Sequence, residues 1–276
     1  LLERLWAVGI PHVTFLVVDS SAHSDLVRAV ELAEDLGMIA GVRGRAAYLC
    51  DEGFLADLQQ AGVDHVTFLY ASTDAQVHDT LCGEGDHDAA ESLMAWLEAH
   101  QISAVAEIPL LQPTLDDVHE TVEALISSGA DNLSFVAYAT SDETLAQHEP
   151  VFTSDAMAQV ATTVEEVATM VHARFMWEPP VERDAAMSLA AQVVAGPRCS
   201  GDVAVRVETN GDVIPARGPY HSAGNLLTDS WHVIWNNEVF RRYRERVEAP
   251  TRCDNCPGLT ICAADCPRDP RGWARG

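Results

Sequence analysis

Four cysteines near the end of the chain constrain it more than any other feature. Cys253-Asp254-Asn255-Cys256, Cys262 and Cys266-Pro267 form a C-x2-C-x5-C-x3-C pattern, and five of the seven cysteines lie between Cys199 and Cys266. Thiolates so closely spaced can converge on one centre without a large core, because short loops between ligands bring the sulfurs together. The Cys-Pro ending is typical of iron–sulfur ligation, where proline stops the chain from continuing as helix over the cluster. The residues alone leave three readings open: an iron–sulfur cluster, which this ending favours, a zinc ion, and unligated thiols.

The surroundings of these cysteines are short of apolar residues. Val203 to Glu208, then Asn210-Gly211, then Val213-Ile214 read as a hairpin with a two-residue Asn-Gly turn. Ser230 to Arg246 reads as a helix carrying Trp231, Ile234, Trp235, Val239 and Phe240. Such a unit is too small to rest on its own core, and a metal centre would supply the missing cross-links. Pro179-Pro180 punctuates the change of character, so two domains are expected, 1–178 and 179–276.

The first domain alternates β-rich apolar runs with helical stretches. Strands are expected at Val13–Val18, Met38–Val42, His65–Tyr70, Ile102–Ile108, Asn132–Ala137 and His172–Trp177. Helices are expected at Ser24–Leu36, Glu52–Gln60, Ala89–His100, Thr114–Ser128 and Ser154–Val171, with Ser24 and Ser154 as caps. Gly37, Gly62 and Gly129 each follow a helix and lead directly into a strand, as C-cap glycines do. Continuous rather than alternating apolar strands in a βα repeat imply an α/β fold with a parallel sheet covered by helices. Six βα units fall short of the eight of a closed barrel, which implies a partial (β/α) barrel or one whose first unit lies upstream of Leu1.

The formal net charge is −25, with no lysine, which argues against nucleic acid as a partner. No run of eighteen apolar residues and no signal peptide are present, so no membrane partner is expected. Without an export signal, clustered cysteines fit metal ligation in a reducing cytoplasm better than disulfides.

Residues 199–266 resemble the SPASM/twitch domain that follows radical S-adenosylmethionine (radical SAM) barrels. That family pattern is C-x(9–15)-G-x4-C, then C-x2-C-x5-C-x3-C, then a final cysteine. Cys199 and Gly211 match its start; the second cysteine falls at Ala216 and is absent, the central quartet matches, and the final cysteine is missing. Gly224-Asn225 and Trp231 sit where the family has Gly-Asn and an aromatic. The front part is similar to the radical SAM partial barrel. His23, Asp25 and Leu26 match its His-x-Asp-Leu helix start, and His78-Asp79-Thr80-Leu81-Cys82-Gly83 resembles His-Asp-x-Leu-Arg-Gly, with Cys82 in place of arginine. Leu115-Asp116-Asp117 resembles a helix start common after the fifth strand, while Arg45-Ala46-Ala47 occupies the place of Thr-Asn-Gly. The Gly-Gly-Glu-Pro positions read Val17-Val18-Asp19-Ser20, which puts two side chains where the family's glycines let backbone approach the methionine amino group of SAM. The C-x3-C-x2-C motif of the catalytic cluster does not occur in the chain, and the resemblance puts its place upstream of Leu1.

The resemblance implies a 4Fe-4S cluster on Cys253, Cys256, Cys262 and Cys266, with Cys199 approaching it. It implies a protein degenerate in SAM chemistry that serves as a peptide- or protein-binding partner in a maturation system. The alternatives are an active peptide or protein maturase and a zinc-stabilised binding protein. Further candidates are Asp19 and Glu107 at strand ends, where parallel barrels place functional groups, and His12, His23, His65 and His221. Cys50 and Cys82 read as small buried hydrophobes.

Overall fold

The computed structural model describes residues 1–19, 23–130, 132–140, 143–172, 174–178, 181, 184–195, 204–215 and 221–245. Helix α1 (Leu2–Ala7) opens the chain, followed by β1 (His12–Val17), α2 (His23–Asp35) and β2 (Ile39–Gly44). Next come α3 (Ala46–Leu49), α4 (Glu52–Gln60), β3 (His65–Leu69), α5 (Ala75–Cys82) and α6 (Asp86–His100). The middle of the chain forms β4 (Ser103–Leu110), α7 (Gln112–Leu115), α8 (Val118–Ser127) and β5 (Asn132–Ala137). A short parallel pair, β6 (Ala139–Thr140) and β7 (Phe152–Thr153), brackets α9 (Glu143–His148). Then follow α10 (Met157–Met170), β8 (Phe175–Glu178) and α11 (Leu189–Ala195).

The main sheet has six parallel strands in the order β1-β2-β3-β4-β5-β8, and it does not close. The order never reverses. Right-handed crossovers repeated in one direction place every connecting helix on the same face, which is barrel winding rather than the doubly wound arrangement. Contacts between α2 and α4 and between α8 and α10, which come from different crossovers, show that helices form one layer. The expectation of an α/β partial barrel with parallel strands is met.

The register sorts each strand's residues between two faces. Val42, Val66, Phe68, Ala106, Ile108, Leu133 and Phe135 are fully buried beneath the helices. The opposite face, open in that the crossover helices do not cover it, carries a different population, of which Thr67, Val105, Glu107 and Ser134 are also buried. Thr14, Gly41, His65 and Ser103 form one row across it; Leu16, Arg43, Thr67, Val105 and Asn132 form the next toward the C-terminal ends. Leu69, Glu107, Ser134 and Met176 form the row beyond that. A sheet buried equally on both faces would not place so many polar groups on one of them.

Gly37, Gly62 and Gly129 have φ of 79°, 89° and 88°, so the glycine C-caps hold. Four helices differ from expectation, α6 by starting at Asp86 rather than Ala89. The stretch from Thr114 breaks into α7 and α8 because the buried Thr114 hydroxyl donates to Pro109 O (2.8 Å) and accepts from Leu111 N–H, drawing that turn onto the end of β4. Ser154 opens a 3-10 turn, Ser154–Ala156, and α10 starts only at Met157. Helix α2 begins at His23, so Ser24 lies inside it rather than capping it.

Beyond the sheet, β9 (Val205–Val207), β10 (Asp212–Pro215) and β11 (Gly224–Asn225) form an antiparallel sheet, followed by α12 (Trp231–Trp235) and α13 (Glu238–Glu245). The hairpin is present, but its loop is three residues, Thr209 to Gly211. Gly211 N–H donates to Glu208 O and Gly211 has φ 91°, a turn closed by a left-handed glycine. Ser230 caps α12 by accepting from Val233 N–H. Val213, Ala223, Leu226, Ile234 and Phe240 join the same buried apolar cluster as the main sheet, and the Arg4 guanidinium donates to Leu226 O. This lobe therefore borrows core from the α/β part as well as from any metal centre. Among the described residues no helix is long and apolar enough to cross a membrane.

Candidate functional site

Parallel sheets present their functional groups at the C-terminal ends of the strands, where side chains of the open face meet the loops. There Arg43 of β2 reaches across Thr67 and Leu69 of β3 to Glu107 of β4, with Nε donating to Oε2 at 2.8 Å. The Glu107 side chain is 9% exposed and that of Arg43 43%, so the pair has one buried end and one wet end. A carboxylate removed from water in this way needs its cationic partner. Glu107 was legible as a strand-end carboxylate; Arg43, distant in sequence, was not.

Toward the N-terminal ends the open face is stoppered by histidines. The His12 and His65 rings meet edge to face, 5.0 Å between centroids, and His65 lies directly over Gly41. A β-carbon on Gly41 would stand 2.1 Å from His65 Nε2. Burial first, and His12 second, hold the His65 imidazole below its ordinary value, against an opposing effect of Asp64. Gly41→Ala is expected to displace the ring into water and destabilise the fold by about 1–3 kcal/mol, the usual cost of overpacking. In an NMR titration His65 should then move up toward the ordinary histidine pKa, and an unchanged His65 titration would contradict this placement.

A second polar cluster lies beneath the helices, at the corner between α5 and α6. Asp86, in the first turn of α6, is fully buried. It accepts from Ala47 N–H (2.9 Å), faces His78 Nε2 at 3.3 Å and pairs with Arg45 Nε at 3.4 Å. Burial alone would push the Asp86 carboxyl up; His78, the Ala47 N–H and Arg45 outweigh it and hold the carboxyl below the usual value. Asp79 fastens the same corner by accepting from Gly85 N–H and His87 N–H. The His78-Asp79 pair that resembles a family motif is thus an architectural hinge-pin here. Nearby, Tyr70 is buried and donates to Glu91 at 2.6 Å.

His78, Cys82 and Asp86 bring possible ligand atoms within 4.8 Å of one another. The hydrogen bonds decide against a metal. His78 Nδ1 accepts from Ala71 N–H, so the proton of the neutral ring sits on Nε2 and points at Asp86. A cation on Nε2 would shift that proton to Nδ1, against the Ala71 N–H. Burial, then Asp86, push the Cys82 thiol up to about 12, with Arg45 opposing. Cys82 is buried and Cys50 half-buried, and burial raises the Cys50 thiol too. Both thiols are protonated at neutral pH, in keeping with their reading as small hydrophobes.

The remaining sequence candidates are scattered. Asp19 lies just beyond β1, His221 just before β11, and His23 at the start of α2. Cys199, Cys253, Cys256, Cys262 and Cys266 lie outside the described residues.

Residues 199–257 match the SPASM family, an iron–sulfur cluster-binding domain, so the SPASM expectation is met over that span. The span includes Cys199, Cys253 and Cys256 and stops short of Cys262 and Cys266. No curated protein matches the chain. Among solved structures, a domain of pyruvate-formate lyase-activating enzyme from Bacteroides vulgatus is similar at 12% identity and TM-score 0.46, covering 60% of this chain and 97% of that one. The citrate synthase SbnG is similar at 14% identity and TM-score 0.41, with 67% and 74% covered. The HMG-CoA lyase from Brucella melitensis is similar at 13% identity and TM-score 0.41, with 64% and 62% covered. The fold described above rests on the strand order itself rather than on these likenesses.

Proposed function

We propose that this chain is a radical SAM/SPASM-type protein that holds an iron–sulfur cluster of the 4Fe-4S type in its tail and offers its α/β part to a peptide or protein partner. The observation that carries the reading is the SPASM match at residues 199–257 joined to the C-x2-C-x5-C-x3-C quartet. The donor set fits the group: four closely spaced thiolates with a terminal Cys-Pro suit iron–sulfur ligation. Cys253, Cys256, Cys262 and Cys266 would hold the cluster and Cys199 would approach it. The cluster would supply an electron-transfer centre or a structural cross-link. Anaerobic purification, with iron and acid-labile sulfide measured against protein, tests this. Near-equal iron and sulfide are expected; stoichiometric zinc without sulfide overturns the cluster.

For SAM, the residues at the end of β1 do not fit the motif they resemble. Val17 is buried against β2, where a β-carbon on Gly44 would meet Val17 O at 2.8 Å, and Val18 is 75% exposed. Val17 faces the helix layer, and Val18 puts an exposed branched side chain where close backbone approach would be required. This supports a degenerate binding platform over an active maturase. The protein, reconstituted and reduced anaerobically, is expected to form no 5′-deoxyadenosine from SAM; turnover by the chain extended upstream of Leu1 would restore the maturase reading.

A further inference from the structure

We propose that Arg43 is a carboxylate-recognition residue, and that its ligand is the C-terminal carboxylate of a peptide ending in an apolar residue. The inference rests on the platform reading above and names the chemistry that the open face of the sheet selects. Arg43 commits Nε to the buried carboxylate of Glu107, which fixes the guanidinium plane. Among the described residues no hydrogen bond or ion pair engages its Nη1–Nη2 edge, the second fork able to hold a carboxylate with two parallel N–H donors.

The neighbours define the rest of the ligand. Leu16 lies beside Arg43 in register and is 48% exposed; Val18, two residues on, is 75% exposed. Leu16 belongs to the open face, so it is not part of the core beneath the helices. A guanidinium fork edged by half-wet aliphatic side chains fits an anion carried next to an apolar group. A free phosphate or an acidic side chain on a polar chain would leave that apolar surface wet. Arg43 already faces the Glu107 carboxylate, so recognition acts through directed N–H donors at short range and gives modest affinity. The net charge of −25 repels anions at long range, so a preference for a carboxylate can only come from a local site of this kind.

The test uses the full chain, purified anaerobically with its iron and sulfide measured on the same sample. N-acetyl-Ala-Leu with a free carboxylate and its C-terminal amide are titrated separately and followed by ligand-observed NMR. The free acid should bind at least tenfold more tightly than the amide, and Arg43→Gln should erase the difference. Leu16→Glu provides a second variant should Arg43→Gln not fold. It alters a half-exposed position and sets a competing carboxylate beside the guanidinium, so it too should erase the preference while thermal stability holds. Equal binding of acid and amide overturns the carboxylate site but leaves a peptide platform standing. Preference for the acid that survives both substitutions overturns the role of Arg43. No binding of either peptide overturns the proposal and removes the platform from this face, while the iron and sulfide content reports separately on the cluster.

Discussion

Cys256→Ala is expected to abolish the iron–sulfur cluster: iron, labile sulfide and visible thiolate-to-iron absorbance should all fall to background in anaerobic preparations. Cys256 follows Cys253 after two intervening residues and is followed at once by Pro257-Gly258, residue types that favour turns. It also lies within the SPASM match. A four-thiolate centre that loses one of two adjacent ligands loses half of its tightest chelate, and cluster binding is folding energy for a small lobe. The loss should be local. Val213, Leu226, Ile234 and Phe240 are buried in a core shared with the main sheet, so the α/β part should keep its melting transition while the tail becomes sensitive to protease. Cys50→Ala is the matched control, since Cys50 is a protonated thiol at the end of α3 and should leave iron content unchanged. Full iron and sulfide in Cys256→Ala would sink the quartet as the ligand set.

The scaffold was legible in the sequence wherever local chemistry dictates local structure. Glu52–Gln60 and Asn132–Ala137 were bounded as observed, because Asp51 caps the first by accepting from Phe54 N–H and Gly129 ends the helix before the second. Short helices such as α1, α3 and α11 were missed, since four to seven residues carry too little periodicity to register. The extra strand β11 was also missed: Gly224-Asn225 has no strand pattern and is held by Asn225, whose side chain donates to Asn210 O and Asp212 Oδ1. The two polar groups at the sheet depend on long-range pairing. Arg43 meets Glu107, and Arg45 meets Asp86, only after β2, β3 and β4 are in register. A lone arginine at the end of a run gives no sign of which carboxylate it will face. Arg45 delivers a guanidinium beside Gly83, where its Nη2 would lie 2.3 Å from an added β-carbon, and the reading of Cys82 as a small buried hydrophobe gave no sign of it.

Asp86→Ala is expected to lower stability at neutral pH by about 3–5 kcal/mol, the usual result of removing one partner from a buried charge pair. In a chain of this size that is roughly 10 °C in Tm. The reason is what it would leave behind. His78 is fully buried and its Nε2–H would lose its acceptor, as would the Ala47 N–H, while Arg45 would be left with the Tyr48 ring, over which it lies at 5.0 Å, and the Tyr48 hydroxyl in place of a carboxylate. Asp86→Asn should cost less, because an amide oxygen can still accept from Ala47. The pH dependence follows from the direction of the shift. The Asp86 carboxyl is held below its ordinary value, so its contribution is complete above the unfolded carboxylate pKa of about 4 and is lost as pH falls through the lower folded value. The gap in Tm between the wild type and Asp86→Ala should therefore be full at pH 7 and narrow on acidification. Asp88→Ala, two residues away with a side chain 97% exposed, should change neither. Thermal melts of the three proteins across pH decide the matter: an Asp86→Ala protein that melts with the wild type at pH 7, or a gap that widens in acid, would show that the corner between α5 and α6 is not held by this carboxylate.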